Sequence, residues 1–198
     1  MMQLLYIDIE TTGLIKYTNG IINLAYIIED INGKKLAEGS IHMNTFAYKS
    51  KANKKALEIN GYTIEEIKDF QSPKDAIEEF IDVLRDYYNG EKYKVVAYNA
   101  EFDTGFLQEW FNALMPDTYW RFLDYKHLDP FALVKIYQQL GMIDTGKSQR
   151  LETVAEYFDI EHNAHDAVSD IRATRELWKI LTNDNYLVHK DNKHDKAD

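Results

Sequence analysis

The chain has 198 residues, enough for one ordinary domain with a sizeable core. Its 45% hydrophobic and 28% charged residues exclude a disordered polymer, and no apolar run approaches the roughly 18 residues that span a bilayer. The absence of cysteine excludes a disulfide framework, and a net charge of −10 argues against a protein that coats long nucleic acid through its own cations. An acidic chain still acts on phosphates where bound metal ions supply the positive charge. The opening M-M-Q-L-L-Y-I-D-I-E lacks a basic region and a cleavage site, so no signal peptide and a cytoplasmic location are expected. Two small basic clusters, Lys49, Lys51, Lys54 and Lys55, then Lys147 and Arg150, read mostly as solvated faces and loops.

In chain order, residues 3–9 form an apolar run that predicts a strand buried on both faces. A second run, Ile21 to Ile28, precedes Asn32-Gly33 and an extended segment from Lys35 to Met43, which together predict a hairpin. Ser72-Pro73 reads as a helix cap followed by proline at the first helical position. Beyond it Ala76, Ile77, Phe80, Ile81, Leu84 and Tyr88 form one apolar stripe, and Asn89-Gly90 ends the helix. Val95 to Ala97 predicts a strand, Phe102 to Met115 a helix, and Phe122 to Leu128 another extended piece. Helices follow near 130–140, 150–158 and 166–182. One domain over 1–184 is expected, with a polar, frayed tail over 185–198. A hairpin followed by strand–helix alternation gives an α/β fold with a mixed sheet.

Asp8 and Glu10 stand two apart on the first strand, so their carboxylates share one face. Burying two like charges there is costly without a cation. A divalent metal relieves both problems, because Mg²⁺ favours carboxylate oxygens and keeps some water. A plainer alternative is a strand end that reaches solvent at Thr11-Thr12-Gly13. Asp103 follows the Val95–Ala97 strand, where it suits a helix cap as well as a catalytic group. Asp170 sits one turn inside the last long helix, and His165 stands at its entrance. Histidine suits a base that takes a proton from water, although a lone histidine beside a cap is usually an ordinary surface residue. His42 and His162 are read in that ordinary way.

The segments Y-I-D-I-E-T-T-G-L, A-Y-N-A-E-F-D-T-G-F-L and H-N-A-H-D-A-V-S-D-I-R-A-T resemble, in order, the three motifs of the DnaQ-like, DEDDh 3′–5′ exonucleases. Within that family the chain resembles the DNA polymerase III epsilon-type proofreading exonucleases. The tyrosine branch carries Tyr four residues before the last aspartate, where this chain has Asp166. The resemblance implies an RNase H-like mixed sheet, an antiparallel hairpin plus parallel strands, flanked by α-helices. It implies that Asp8, Glu10 and Asp170 hold two Mg²⁺ or Mn²⁺ ions, Asp8 bridging them and Asp103 acting through a water. His165 would take a proton from the attacking water. Thr11, Thr12 and Leu14 would line the pocket of the terminal nucleotide, with Leu14 wedged against its base. Phe102 would either stack near the site or belong to the core.

The segment A-L-E-I-N-G-Y-T departs from the family, with Asn60 where histidine is common and Tyr62 where isoleucine is common. The implied substrate is the 3′ end of single-stranded nucleic acid. DNA is expected over RNA, with no membrane; the absence of a clamp-binding peptide after Trp178 favours a stand-alone enzyme, or one joined non-covalently to a polymerase partner. The alternatives are an RNA-trimming exoribonuclease resembling RNase T or oligoribonuclease, a non-catalytic polymerase-docking module, and a metal-dependent endonuclease or phosphatase.

Overall fold

A computed structural model describes residues 2–49, 51–164 and 166–183. His165 and the expected tail over 185–198 lie outside the described residues. Strand β1 (Gln3–Thr11) runs through the middle of a four-stranded sheet of order β3-β2-β1-β4. β2 (Ile21–Asp30) flanks it antiparallel and the short β4 (Lys94–Val96) parallel, while β3 (Lys35–His42) closes the far edge. The Asn32-Gly33 turn forms as expected. Gly33 takes φ +81°, and Asp30 Oδ1 accepts from the N–H groups of Asn32 (2.9 Å) and Lys34 (3.0 Å).

The period of two in β1 sorts its side chains between two helical layers. Leu5, Ile7 and Ile9 pack with Ile77 and Phe80 of α3 (Pro73–Asp86) and with Phe106 and Trp110 of α4 (Ala100–Leu114). Leu4 and Tyr6 pack on the opposite face against Ala167 and Ile171 of α8 (Ala167–Leu181). That second layer is also held by charge. Glu29 on β2, almost wholly buried, accepts from the Tyr6 hydroxyl (3.3 Å), pairs with Arg175, and lies 3.4 Å from Lys179.

Two short helices lie where no element is expected. α1 (Lys54–Asn60) starts at Asn53, whose side chain accepts from Lys55 N, and α2 (Ile64–Asp69) starts with a Thr63/Glu66 capping box. The second signal was present in the sequence as T-x-x-E; what hid both helices is their brevity, which leaves no periodic stripe. The expected extension over Phe122–Leu128 is only partly formed. A short helix, α5 (Thr118–Phe122), is followed by single parallel bridges at Leu123 and Leu128. Between them Asp124 Oδ1 accepts from Lys126 N (2.9 Å), a local turn that takes the chain out of the ladder. α6 (Pro130–Gln139), α7 (Leu151–Tyr157) and α8 follow the expected positions. Among the described residues no helix is long and apolar enough to cross a membrane.

Candidate active site

The alternation that sends Leu4 and Tyr6 toward α8 sends Asp8 and Glu10 the same way. α8 answers with Asp170, one turn in from the Asp166 cap, whose side chain accepts from Val168 N. Carboxylate oxygens of Asp8, Glu10 and Asp170 all lie within 4.8 Å of one another. Asp103 arrives from the other layer. β4 stops at Val96, so the chain turns over the end of the sheet through Asn99, which takes the left-handed conformation at φ +68°. Asp129 secures this turn by accepting from Asn99 N (3.0 Å) and Ala100 N (3.3 Å), besides capping α6. The first turn of α4 then carries Asp103, 4% exposed, to the β1 backbone, where Oδ1 accepts from Ile9 N (3.2 Å).

Burial dominates the electrostatics of this group. It pushes Asp8 well above the usual carboxylate range, and Asp103, Asp170 and Glu10 push it further. Glu10, 8% exposed, is raised to about 8 by burial, then by Asp170 and Asp166. Asp103 is raised well above its ordinary value by burial, although the Ile9 N–H opposes the rise. The anionic forms of Asp8, Glu10 and Asp103 are thus disfavoured, and with Asp170 beside them they form a site whose missing component is positive charge. The donors are all carboxylate oxygens, the set that suits Mg²⁺ and Mn²⁺.

The loop after β1 supplies the wall. Thr12 is fully buried, its hydroxyl donating to Lys51 O (2.9 Å) and accepting from Gly20 N (3.0 Å), so its side chain ties the loop together. Thr11, also buried, donates to Gly13 O (2.8 Å). Asn19 reinforces the loop through Thr12 O, Lys51 O and Ile15 N. A Cβ on Gly13 would lie 2.7–2.9 Å from the Asn19 side chain, which explains the glycine. Leu14 projects from the loop tip, 81% exposed. It faces Phe102 across a slot of about 300 Å³ that Lys16, Asn99, Glu101 and Phe106 complete. Phe102 is half-buried and tilted on Phe106, so it lines the slot while also packing on the core. A larger cleft of about 570 Å³ reaches Asp170 and His162 past Ile59, Tyr98, Phe131 and Arg150.

Several residues near the site escaped the sequence reading. His162 is not an ordinary surface histidine: its side chain is 8% exposed, with Nε2 2.5 Å from Asp170 Oδ1. Eight residues from Asp170 and outside the helix, it gave no periodic signal. His42 is half-buried beside Phe70, with Nε2 3.0 Å from the Tyr62 hydroxyl. The Tyr62 hydroxyl is itself raised, by burial first, with Glu10 and Asp166 contributing. Asn60 donates to Thr11 O (2.9 Å), tying α1 to the end of β1. Asp129 was visible as Asp-Pro at a helix start, but its second role depends on the fold.

The family model RNase_T, described as exonuclease, matches residues 5–178, a span that contains all five motif residues. The chain belongs to this exonuclease family. Its DnaQ-like motifs and the RNase H-like mixed sheet agree with that membership. The exonuclease chain is similar to the DNA polymerase III PolC-type protein of Oceanobacillus iheyensis, 28% identical over 178 residues, covering 88% of this chain and 11% of that protein. The corresponding Thermotoga maritima protein is 28% identical over 176 residues, covering 87% and 11%. The chain therefore spans only 11% of the length of these curated relatives. Among solved structures, E. coli exonuclease I in complex with a dT13 oligonucleotide matches with a TM-score of 0.76 at 19% identity, covering 98% of this chain and 43% of that one. Cell-death related nuclease 4 matches at 0.69 and 18% identity, covering 90% and 63%. At such identities the structural likeness speaks for the fold.

Proposed function

We propose that this chain is a 3′–5′ exonuclease that hydrolyses the terminal phosphodiester of single-stranded DNA and releases nucleoside monophosphates. The observation that carries the proposal is the convergence of Asp8, Glu10 and Asp170 within 4.8 Å, with Asp103 anchored beside them on β1. Asp8, Glu10 and Asp170 would hold two divalent ions, and Asp103 would hold one of them through water. Mg²⁺ or Mn²⁺ held by these residues would supply positive charge at the scissile phosphate and lower the pKa of a water. His165, which directly precedes Asp166 in the sequence, would take the proton from the attacking water. The carboxylates in their anionic form also orient what they bind, because β1 and α8 fix their positions against the core. The slot between Leu14 and Phe102 is at the small end of ligand pockets, a size that favours one nucleotide over a longer stretch.

The preference for DNA, and a polymerase as the protein partner, rest on the PolC-type relatives. The test uses 5′-labelled single-stranded DNA and RNA of matched sequence, with Mn²⁺, Mg²⁺ or EDTA, beside Asp8→Ala. The expected result is a ladder shortening from the 3′ end, faster on DNA, and abolished by EDTA and by the substitution. Faster trimming of RNA would make the chain an exoribonuclease, internal cuts an endonuclease, and no cleavage by folded protein a docking module.

A further inference from the structure

The charge of the molecule is unevenly distributed, and the uneven part lies beside the slot. None of the 33 Asp and Glu residues falls within residues 11–28 or 39–57, yet those stretches carry Lys16, Lys49, Lys51, Lys54 and Lys55. The fold lays them side by side. Asn53 N donates to Thr12 O (2.7 Å), Lys51 O accepts from Thr12 Oγ1 and Asn19 Nδ2 (2.9 Å each), and Lys49 Nζ donates to Tyr17 O (3.1 Å). Lysines up to 39 positions apart in sequence thus share one end of the molecule. Among the described residues only Lys54 of these five has a carboxylate partner, the exposed Glu58 at 3.5 Å.

Between these lysines stands the apolar tip of the β1–β2 loop, where Leu14, Ile15 and Tyr17 are 81%, 59% and 67% exposed. Lys16 joins the tip to the slot. Its ammonium lies 5.5 Å from the centre of the Tyr17 ring, and its side chain lines the slot beside Leu14 and Phe102. Exposed aromatic surface interleaved with lysine is the composition that holds single strands, bases stacking on the ring and phosphates meeting the ammonium groups. An occupant of this patch must be anionic and present flat apolar faces, and the patch is continuous with the slot.

We propose that Tyr17, Lys49, Lys51 and Lys55, with Lys16 at the junction, form a second contact for the substrate strand, engaging nucleotides beyond the one being removed. The proposal rests on the exonuclease reading and extends it. It explains how a chain of net charge −10 retains a polyanion: five of its lysines gather, in stretches free of acidic residues, at the end where the strand passes.

The test compares wild type, Tyr17→Ala and the triple variant K49E/K51E/K55E in two measurements. The first is binding of labelled dT12 by anisotropy with Ca²⁺ in place of Mg²⁺, over a salt series. The second is cleavage of dT2 and dT12 with Mn²⁺. Each variant is expected to bind dT12 roughly tenfold or more weakly, with the salt slope of log Kd reduced by about 0.7 per lysine lost. The preference for dT12 over dT2 is expected to fall by a similar factor. Wild-type binding and length preference in both variants would overturn the patch while leaving the exonuclease intact. A wild type that cleaves neither substrate, yet loses dT12 binding on charge reversal, would instead overturn the exonuclease reading and leave the patch standing.

Discussion

Glu10→Gln should make the metal-free protein more stable at mildly alkaline pH. Burial and two neighbouring carboxylates raise Glu10 from 4.5 to about 8, so between those values the folded chain keeps a proton that the unfolded chain has released. A group raised on folding contributes its full stability below the unfolded pKa and loses it as pH climbs through the folded one. With each pH unit of separation worth about 1.4 kcal/mol, Glu10 alone costs the metal-free protein about 3 kcal/mol between about pH 5.5 and 8. For a domain of this size that is a fall of roughly 6–12 °C in melting temperature. Asp8 and Asp103, raised in the same direction, add to the slope. Scanning calorimetry in EDTA across this range should show the wild type melting progressively lower as pH rises. E10Q should fall less and melt above the wild type near pH 8. Mn²⁺ should then raise the wild type, by about 2.7 kcal/mol at a hundred times its Kd, and raise E10Q less. A flat wild-type profile in EDTA, or an E10Q variant that melts lower at pH 8, would refute the claim that these carboxylates are held together against their own repulsion.

Three further outcomes follow from particular contacts. Asp103→Asn retains an oxygen to accept from Ile9 N but loses the charge, so cleavage should fall by about two orders of magnitude or more while the protein stays folded. Wild-type rates would reduce Asp103 to a structural anchor between α4 and β1. Gly13→Ala places a methyl group 2.7–2.9 Å from Asn19 at φ +153°, and urea denaturation should show a loss of about 1–3 kcal/mol. An unchanged midpoint would mean that the loop after β1 yields freely. Arg175→Ala removes the main partner of Glu29, which is 3% exposed, and should cost about 3–5 kcal/mol in the same assay. Pairing it with Glu29→Gln should recover much of that loss, since the uncompensated charge is then gone.

The family of this chain was legible because its three motifs are local. Asp8 and Glu10 fall on one face by the period of the strand, and Asp170 falls one turn into a helix whose start its cap announces; both facts depend only on backbone geometry within a few residues. Ser72-Pro73, the Asn32-Gly33 turn and the α3 stripe were readable for the same reason. Residues whose role depends on contacts across the chain were not. His162 meets Asp170 only because the chain folds back before α8, and Asp129 steadies Asn99 from thirty positions away. Lys49, Lys51 and Lys55 read as solvated surface until the segment carrying them is seen docked on the β1–β2 loop. Sequence by itself determined the strands, most helices and the identity of the carboxylates, because propensity, period and capping are short-range. Only the tertiary structure decided which of these groups meet, how deeply each charge is buried, and where the positive surface lies, because burial and Coulombic coupling depend on distances between segments that chain order does not contain.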